Sequence, residues 1–431
     1  MFAERRRRLV EAMGPDAVAI LLGARAATRS ADTQYPFRQD SDFWYLTGFG
    51  HPNAAAVLRT TPGPAYTLYV EPRLREAEIW TGRRPGVEGA VREFGAYEAF
   101  PSADLVGAVP KLLEGARRVY HVLGRDPALD RALVEALEQM RLRSRAGLVP
   151  PAEIVDPRAI VHEMRLVKED DELEILRRAA AISAEAHREA ARLAHGGHYE
   201  YELAAVLDYT FRRRGASGPA YETIVGGGPN ACVLHYVAND QKLENGQLVL
   251  IDAGCELEGY ASDVTRTYPV GGRFEGPARA IYEAVLDAQR AALAVARPGA
   301  TLKQVHDTSV RRLTENLIEL GLVEGAPDEA IAREAFKPFF MHQTSHWLGL
   351  DVHDAGAYSV GGRPRELAPG MVFTVEPGLY VAPDAETAEP RFRGLGVRIE
   401  DDVAVTADGC EVLTAAIPKD PEDVEAWVND R

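Results

Sequence analysis

Three apolar, strand-like runs in the second half of the chain each lead straight into an acidic residue: Leu248-Val-Leu-Ile-Asp252, Met371-Val-Phe-Thr-Val-Glu376 and Gly396-Val-Arg398-Ile-Glu400. Runs of this kind are buried in a sheet, and a buried carboxylate is costly unless a positive charge or hydrogen-bond donors meet it. A fourth acid, Asp263, follows Asp252 after a glycine-containing stretch, and this spacing predicts a hairpin that brings the two carboxylates together. A single aspartate at a strand end ordinarily caps a turn and faces water. Arg398 and Glu400, on one face by strand alternation, taken alone read as a surface ion pair of small energetic weight. Three runs that each deliver a carboxylate argue instead for a fold that gathers them onto something positive.

The segment Met341-His342-Gln-Thr-Ser-His346-Trp-Leu-Gly-Leu-Asp351-Val-His353-Asp354 holds three of the chain's 11 histidines. Neutral imidazoles at this density suit metal ligation and proton transfer near neutral pH. Asp252, Asp263, His346, Glu376 and Glu400 together offer four carboxylates and one imidazole. Without counterions the carboxylates would raise one another's pKa values, whereas two divalent cations balance them. An oxygen-rich set with one nitrogen favours Mn²⁺, with Zn²⁺, Co²⁺ or Fe²⁺ as alternatives. The three cysteines, Cys232, Cys255 and Cys410, are far apart and form no C-x-x-C pair, so they predict neither a disulfide framework nor a thiolate zinc site and fit a reducing cytoplasm. Two ions ~3.5–4 Å apart can bridge a water and lower its pKa, which points to hydrolysis.

At 431 residues, with 46% hydrophobic and 26% charged residues, the chain has the balance of a globular protein of more than one domain. Between residues 17 and 149, β-like runs (17–23, 54–58, 66–70, 118–124) alternate with helical periodicity (104–113, 127–142), which predicts an α/β domain. Gly147-Leu-Val-Pro-Pro151 and Asp156-Pro157 read as a stiff linker, and we expect domains at 1–160 and 161–431. The second domain is expected to be α+β, with helices over 168–195, 200–214, 277–296 and 302–320 and strands over 246–254, 371–376 and 397–406. A net charge of -16 argues against nucleic acid as a partner. No run approaches the ~18 apolar residues of a membrane span. The Arg5–Arg8 cluster reads as a solvated helix start, not a signal peptide.

The order Asp252, Asp263, His346, Glu376, Glu400, with these flanking residues, resembles the dinuclear metallopeptidases of the pita-bread (creatinase/aminopeptidase) family. Residues 342–354 and Thr374-Val-Glu-Pro-Gly-Leu-Tyr380 are similar to its proline-specific branch. Ser41-Asp-Phe-Trp-Tyr-Leu-Thr-Gly-Phe49 and Glu78-Ile-Trp80-Thr-Gly-Arg-Arg84 resemble the N-terminal domain of the aminopeptidase P group, so the similarity covers nearly the whole chain. The resemblance implies an α/β N-terminal domain and an α+β pita-bread catalytic domain. It also implies an Xaa-Pro aminopeptidase activity in which a metal-bridging hydroxide attacks the carbonyl before proline, with prolidase as the alternative and a non-catalytic binding module as a remoter one.

It further implies residue roles. Asp252, Asp263, His346, Glu376 and Glu400 would hold two divalent ions, with Glu376 also the general base. His342 and His353 would contact the scissile carbonyl and the substrate, and His235 would lie by the proline pocket. Tyr380, Arg398 and Trp80 would be substrate-side residues, Trp80 reaching the site of a neighbouring subunit in a homodimer or homotetramer. Gln343-Thr344 departs from the Gly-Leu common after the first histidine.

Overall fold

In a computed structural model, which describes residues 1–430, the chain divides into two compact units, Met1–Met164 and the remainder from Arg165. The first is α/β, as its alternating pattern predicts. Its six-stranded mixed sheet runs in the order Glu98–Pro101, Tyr66–Val70, Ala55–Arg59, Ala17–Leu22, Arg118–Tyr120, Glu153–Val155. The apolar faces of Leu105–Leu112 and Pro127–Leu142 cover it, so that Val109, Leu129 and Leu133 meet Val18, Ile20 and Val57 in a core from which water is excluded. Pro127 opens the longer helix where its missing N–H costs nothing, and Asp126 caps it. The expected strand over 118–124 stops at Tyr120, because Leu123-Gly124 turns the chain, at φ 90° for Gly124, toward that cap.

The second unit packs two helix pairs against small antiparallel sheets. Asp170–Ala191, Glu200–Arg213, Gly276–Val295 and Leu302–Glu319 fall within a few residues of the helices expected from periodicity. The strands Ile224–Gly227, Leu248–Asp252 and Thr265–Pro269 form one sheet. Val372–Val375 pairs with Asp401–Val405, and Gly378–Val381 with Leu395–Arg398. The apolar run over 397–406 is therefore not one strand. At Ile399 and Glu400 the backbone changes partner: Ile399 N donates to Pro377 O and Glu400 N to Thr265 O. That break lets Glu400 meet Thr265 while Val403 and Val405 return to the core with Phe373 and Trp347. No helix among the described residues is long and apolar enough to cross a membrane.

Candidate metal centre

Register places the acids. Asp252 lies opposite Thr265 in the antiparallel pair, and the intervening turn closes because Gly254 has no side chain: a Cβ there would sit 1.7 Å from Ser262 O. The expected hairpin thus brings Asp252 and Asp263 to one end of the sheet. A short ladder then ties the histidine segment to the 372–375 strand. Leu348 N donates to Val372 O, Thr374 N to His346 O and Glu376 N to Thr344 O, so His346 and Glu376 are neighbours by backbone pairing. Thr374 Oγ1 accepts from His346 N at 3.1 Å and donates to Glu376 Oε1 at 3.3 Å.

His346 Nε2 lies 3.3 Å from Asp263 Oδ2 and 3.5 Å from Glu376 Oε1. Its Nδ1 donates to Trp347 O at 3.0 Å, which fixes the tautomer and leaves Nε2 toward the carboxylates. Among the described residues, ligand atoms of Asp263, His346 and Glu400 lie within 4.8 Å of one another, the spacing of a shared cation. Glu400 accepts from Thr265 Oγ1 at 2.6 Å. Asp252 accepts from Tyr221 Oη and from the Arg398 guanidinium, each at 2.6 Å.

The electrostatics fit divalent cations. Burial raises Glu376 to about 7, with His346 and Arg398 offsetting only part of that cost. Burial, then the charge of Asp263, holds Glu400 well above the usual carboxylate range, and burial raises Asp252 despite Arg398. For His346 burial works the other way, but the Asp263 hydrogen bond and the Glu376 charge outweigh it and lift the imidazole to about 9. Glu376, Glu400 and Asp252 are thus pushed toward their protonated forms. An oxygen-rich donor set with one nitrogen and a deficit of positive charge matches divalent ions. Desolvation leads this cost and mutual repulsion follows, the reverse of the emphasis the sequence suggests.

Asp252, Asp263, His346, Glu376 and Glu400 line one cavity of about 1020 Å³, together with His235, His342, His353 and Arg398. His353 packs edge-on against His346 with ring centroids 4.3 Å apart. His342 Nδ1 lies 2.8 Å from Gln343 O, an acceptor only, so Nδ1 carries the proton and Nε2 accepts from Tyr380 Oη at 2.9 Å. Tyr380 does not line the cavity: it is 1% exposed and reaches it through His342, with its hydroxyl also accepting from Arg398. Gly378 makes room for that phenol, since a Cβ there would lie 2.4 Å from Tyr380 Oη. Arg398, expected at the substrate, spends its guanidinium on Asp252, Tyr380 and Thr265. Trp80 lies in the other unit, on the helix Arg75–Thr81.

Sequence reasoning passed over Tyr221, Thr265, Thr374 and Asp402, whose carboxylate accepts from Asp263 N through both oxygens at 3.1 Å. Thr265 was legible in principle, two positions beyond Asp263. Tyr221 sits in no apolar run and carries no local signal.

Residues 174–407 match the Metallopeptidase family M24, and residues 2–120 match the Aminopeptidase P, N-terminal domain. The chain is 47% identical over 427 residues to Xaa-Pro aminopeptidase of Escherichia coli K12, spanning 99% of this chain and 96% of that protein. The solved structure of proline aminopeptidase P II from Yersinia pestis superposes with a TM-score of 0.95 at 46% identity, covering 100% of this chain and 99% of that one. The zinc-substituted E. coli aminopeptidase P in complex with product gives the same TM-score and identity, covering 98% of that chain.

Proposed function

The chain belongs to metallopeptidase family M24, and on that footing we propose that it releases the N-terminal residue from peptides with proline in second position. The observation that carries this reading is the convergence of Asp263, His346 and Glu400 in one cavity with Asp252 and Glu376. The five would hold two divalent ions, Mn²⁺ favoured by the oxygen-rich donors, with Zn²⁺ or Co²⁺ as substitutes. When bound, such ions supply Lewis-acid charge and a water of lowered pKa.

The chain's own groups do the rest. Glu376, a cavity-lining carboxylate beside His346, is placed to take a proton in the reaction. Arg398 holds Asp252 and the Tyr380 hydroxyl in place, and Tyr380 in turn holds His342. His342 Nε2 takes the Tyr380 proton, so its donor is Nδ1–H, and turning that N–H from Gln343 O to a substrate carbonyl would present a donor where negative charge develops. His353 and His235 stand at the walls, and Leu234 and Val237 beside His235 give an apolar face for a ring that brings no N–H donor. The cavity is larger than a dipeptide needs, which favours peptides of three or more residues over a prolidase specificity.

The test is substrate profiling. Xaa-Pro-Yaa peptides should be cleaved at the Xaa–Pro bond and Xaa-Ala-Yaa peptides should not; turnover confined to Xaa-Pro dipeptides would replace this reading with prolidase.

Trp80 is 87% exposed and Ile79 74% exposed on one short helix, a large apolar area beside charged residues that suits an interface with another copy. We place it at a homodimer or homotetramer contact, where it would complete a neighbour's site. The three free thiols fit the cytoplasm. Sedimentation velocity at assay concentration should show an oligomer; a fully active monomer would remove Trp80 from the substrate-binding set.

A further inference from the structure

His342 and His306 both line the cavity, and the buried rings of Tyr380 and Phe340 pack behind them. Tyr380, His342, Phe340 and His306 follow one another, the last two steps at 4.8 Å and 5.9 Å between ring centroids. Extended peptide advances about 3.3–3.6 Å per residue. His306 therefore stands no more than about three residues from whatever group His342 contacts. It comes from the helix Leu302–Glu319, and its neighbours on that face, Leu302 and Lys303, line the same cavity.

His306 is held, not loose. Its Nδ1 lies 2.9 Å from Thr344 Oγ1, and Thr344 is fully buried with its carbonyl taken by Glu376 N. Thr344 Oγ1 can donate to Nδ1 or accept from it, and when it donates, Nε2 carries the proton. Nε2 has no partner among the described residues and is not buried, so the ring offers an oriented donor to the cavity. Burial lowers the affinity of the ring for a second proton. Lys303, the other polar group on this face, is committed to Asp307 at 2.6 and 2.8 Å.

We propose that His306 is a specificity-determining residue that donates a hydrogen bond from Nε2 to the backbone carbonyl of the residue following proline, so that the site selects peptides extending past the Xaa-Pro pair. Nothing in the catalytic machinery requires this contact. The inference rests on the Xaa-Pro aminopeptidase reading, and the test separates the two.

Kinetics of wild type, His306→Ala and His306→Gln are compared on an Xaa-Pro-Yaa-Yaa peptide and on an Xaa-Pro anilide, which ends before that carbonyl, with metal content and thermal midpoint measured on the same samples. For His306→Ala we expect KM for the tetrapeptide to rise about tenfold, the size of one neutral hydrogen bond, with kcat and metal content unchanged. KM for the anilide should stay at the wild-type value. His306→Gln, which restores an amide donor, should recover part of the loss. Equal KM changes on both substrates would overturn the proposal. So would a fall in kcat or metal content, which would make His306 a brace for Thr344 and the histidine segment. A wild-type enzyme that cleaves neither substrate would overturn the underlying function instead.

Discussion

Replacing His346 with alanine is expected to remove metal and peptidase activity together, whereas His342→Ala should keep the metal and lose kcat by about 10²–10³. The two histidines lie four positions apart in one segment, yet their surroundings differ. His346 has Nδ1 fixed on Trp347 O and Nε2 among Asp263 and Glu376, so its loss removes the only nitrogen from the donor set. The activity lost should exceed the ~10–100-fold typical when only a supporting partner of a metal ligand is removed. His342 has one nitrogen on Gln343 O and the other on Tyr380 Oη. Burial lowers it to about 4, so it stays neutral, a hydrogen-bonding group and not a charge. Mass spectrometry of metal content alongside Xaa-Pro-Yaa kinetics decides the matter. Equal metal loss in both variants would mean the ligand and the carbonyl contact have been exchanged.

The largest stability effect is expected at Asp354, away from the ligands. Its side chain is 1% exposed and lies 2.9 Å from Lys168 Nζ, itself 1% exposed, and in contact with Arg165, which also reaches Asp351 at 2.7 Å. Asp354 N donates to Trp347 O, and Gly349 must lack a side chain because a Cβ there would lie 2.3 Å from Asp354 Oδ2. Asp354→Ala leaves two buried cations without their shared anion, and removing one partner of such a group costs about 3–5 kcal/mol. A companion change of Lys168 to Met should recover part of it.

The pH dependence follows from the sign of the shift. Burial would raise this carboxyl, but Lys168 and then Arg165 outweigh burial and hold it below its ordinary value. A depressed folded-state pKa gives stability that is present above the unfolded pKa of ~3.9 and is lost as pH falls through the folded value. The gap between wild type and Asp354→Ala in urea unfolding should therefore be full at neutral pH and shrink below pH ~4. A difference under ~1 kcal/mol at neutral pH would show that the triad contributes little.

Much of the architecture was legible because it depends on local pattern. The helix Pro127–Leu142 could be read to the residue, since Asp126, Pro127 and a spacing of three and four each mark the same element. The histidine segment and the three acid-terminated runs were legible too, because burying a carboxylate is expensive enough to show itself as an anomaly in an apolar run. Edge geometry was harder. The run over 397–406 reads as one strand, yet the backbone switches partners at Ile399, and no periodicity encodes which strand will be alongside.

What the sequence by itself determined is the inventory: four carboxylates, one imidazole, the two-unit order, and the need for compensating positive charge. Only the tertiary structure decided how that inventory is arranged. It made Arg398, at the cavity wall, the clamp on Asp252 and Tyr380, set Tyr380 behind His342, and brought Tyr221 and Asp402 to acids that are remote from them in sequence. The reason is range. Propensity and periodicity act between residues a few positions apart, whereas a guanidinium finds its carboxylate across 146 positions only when strand register sets the two side by side.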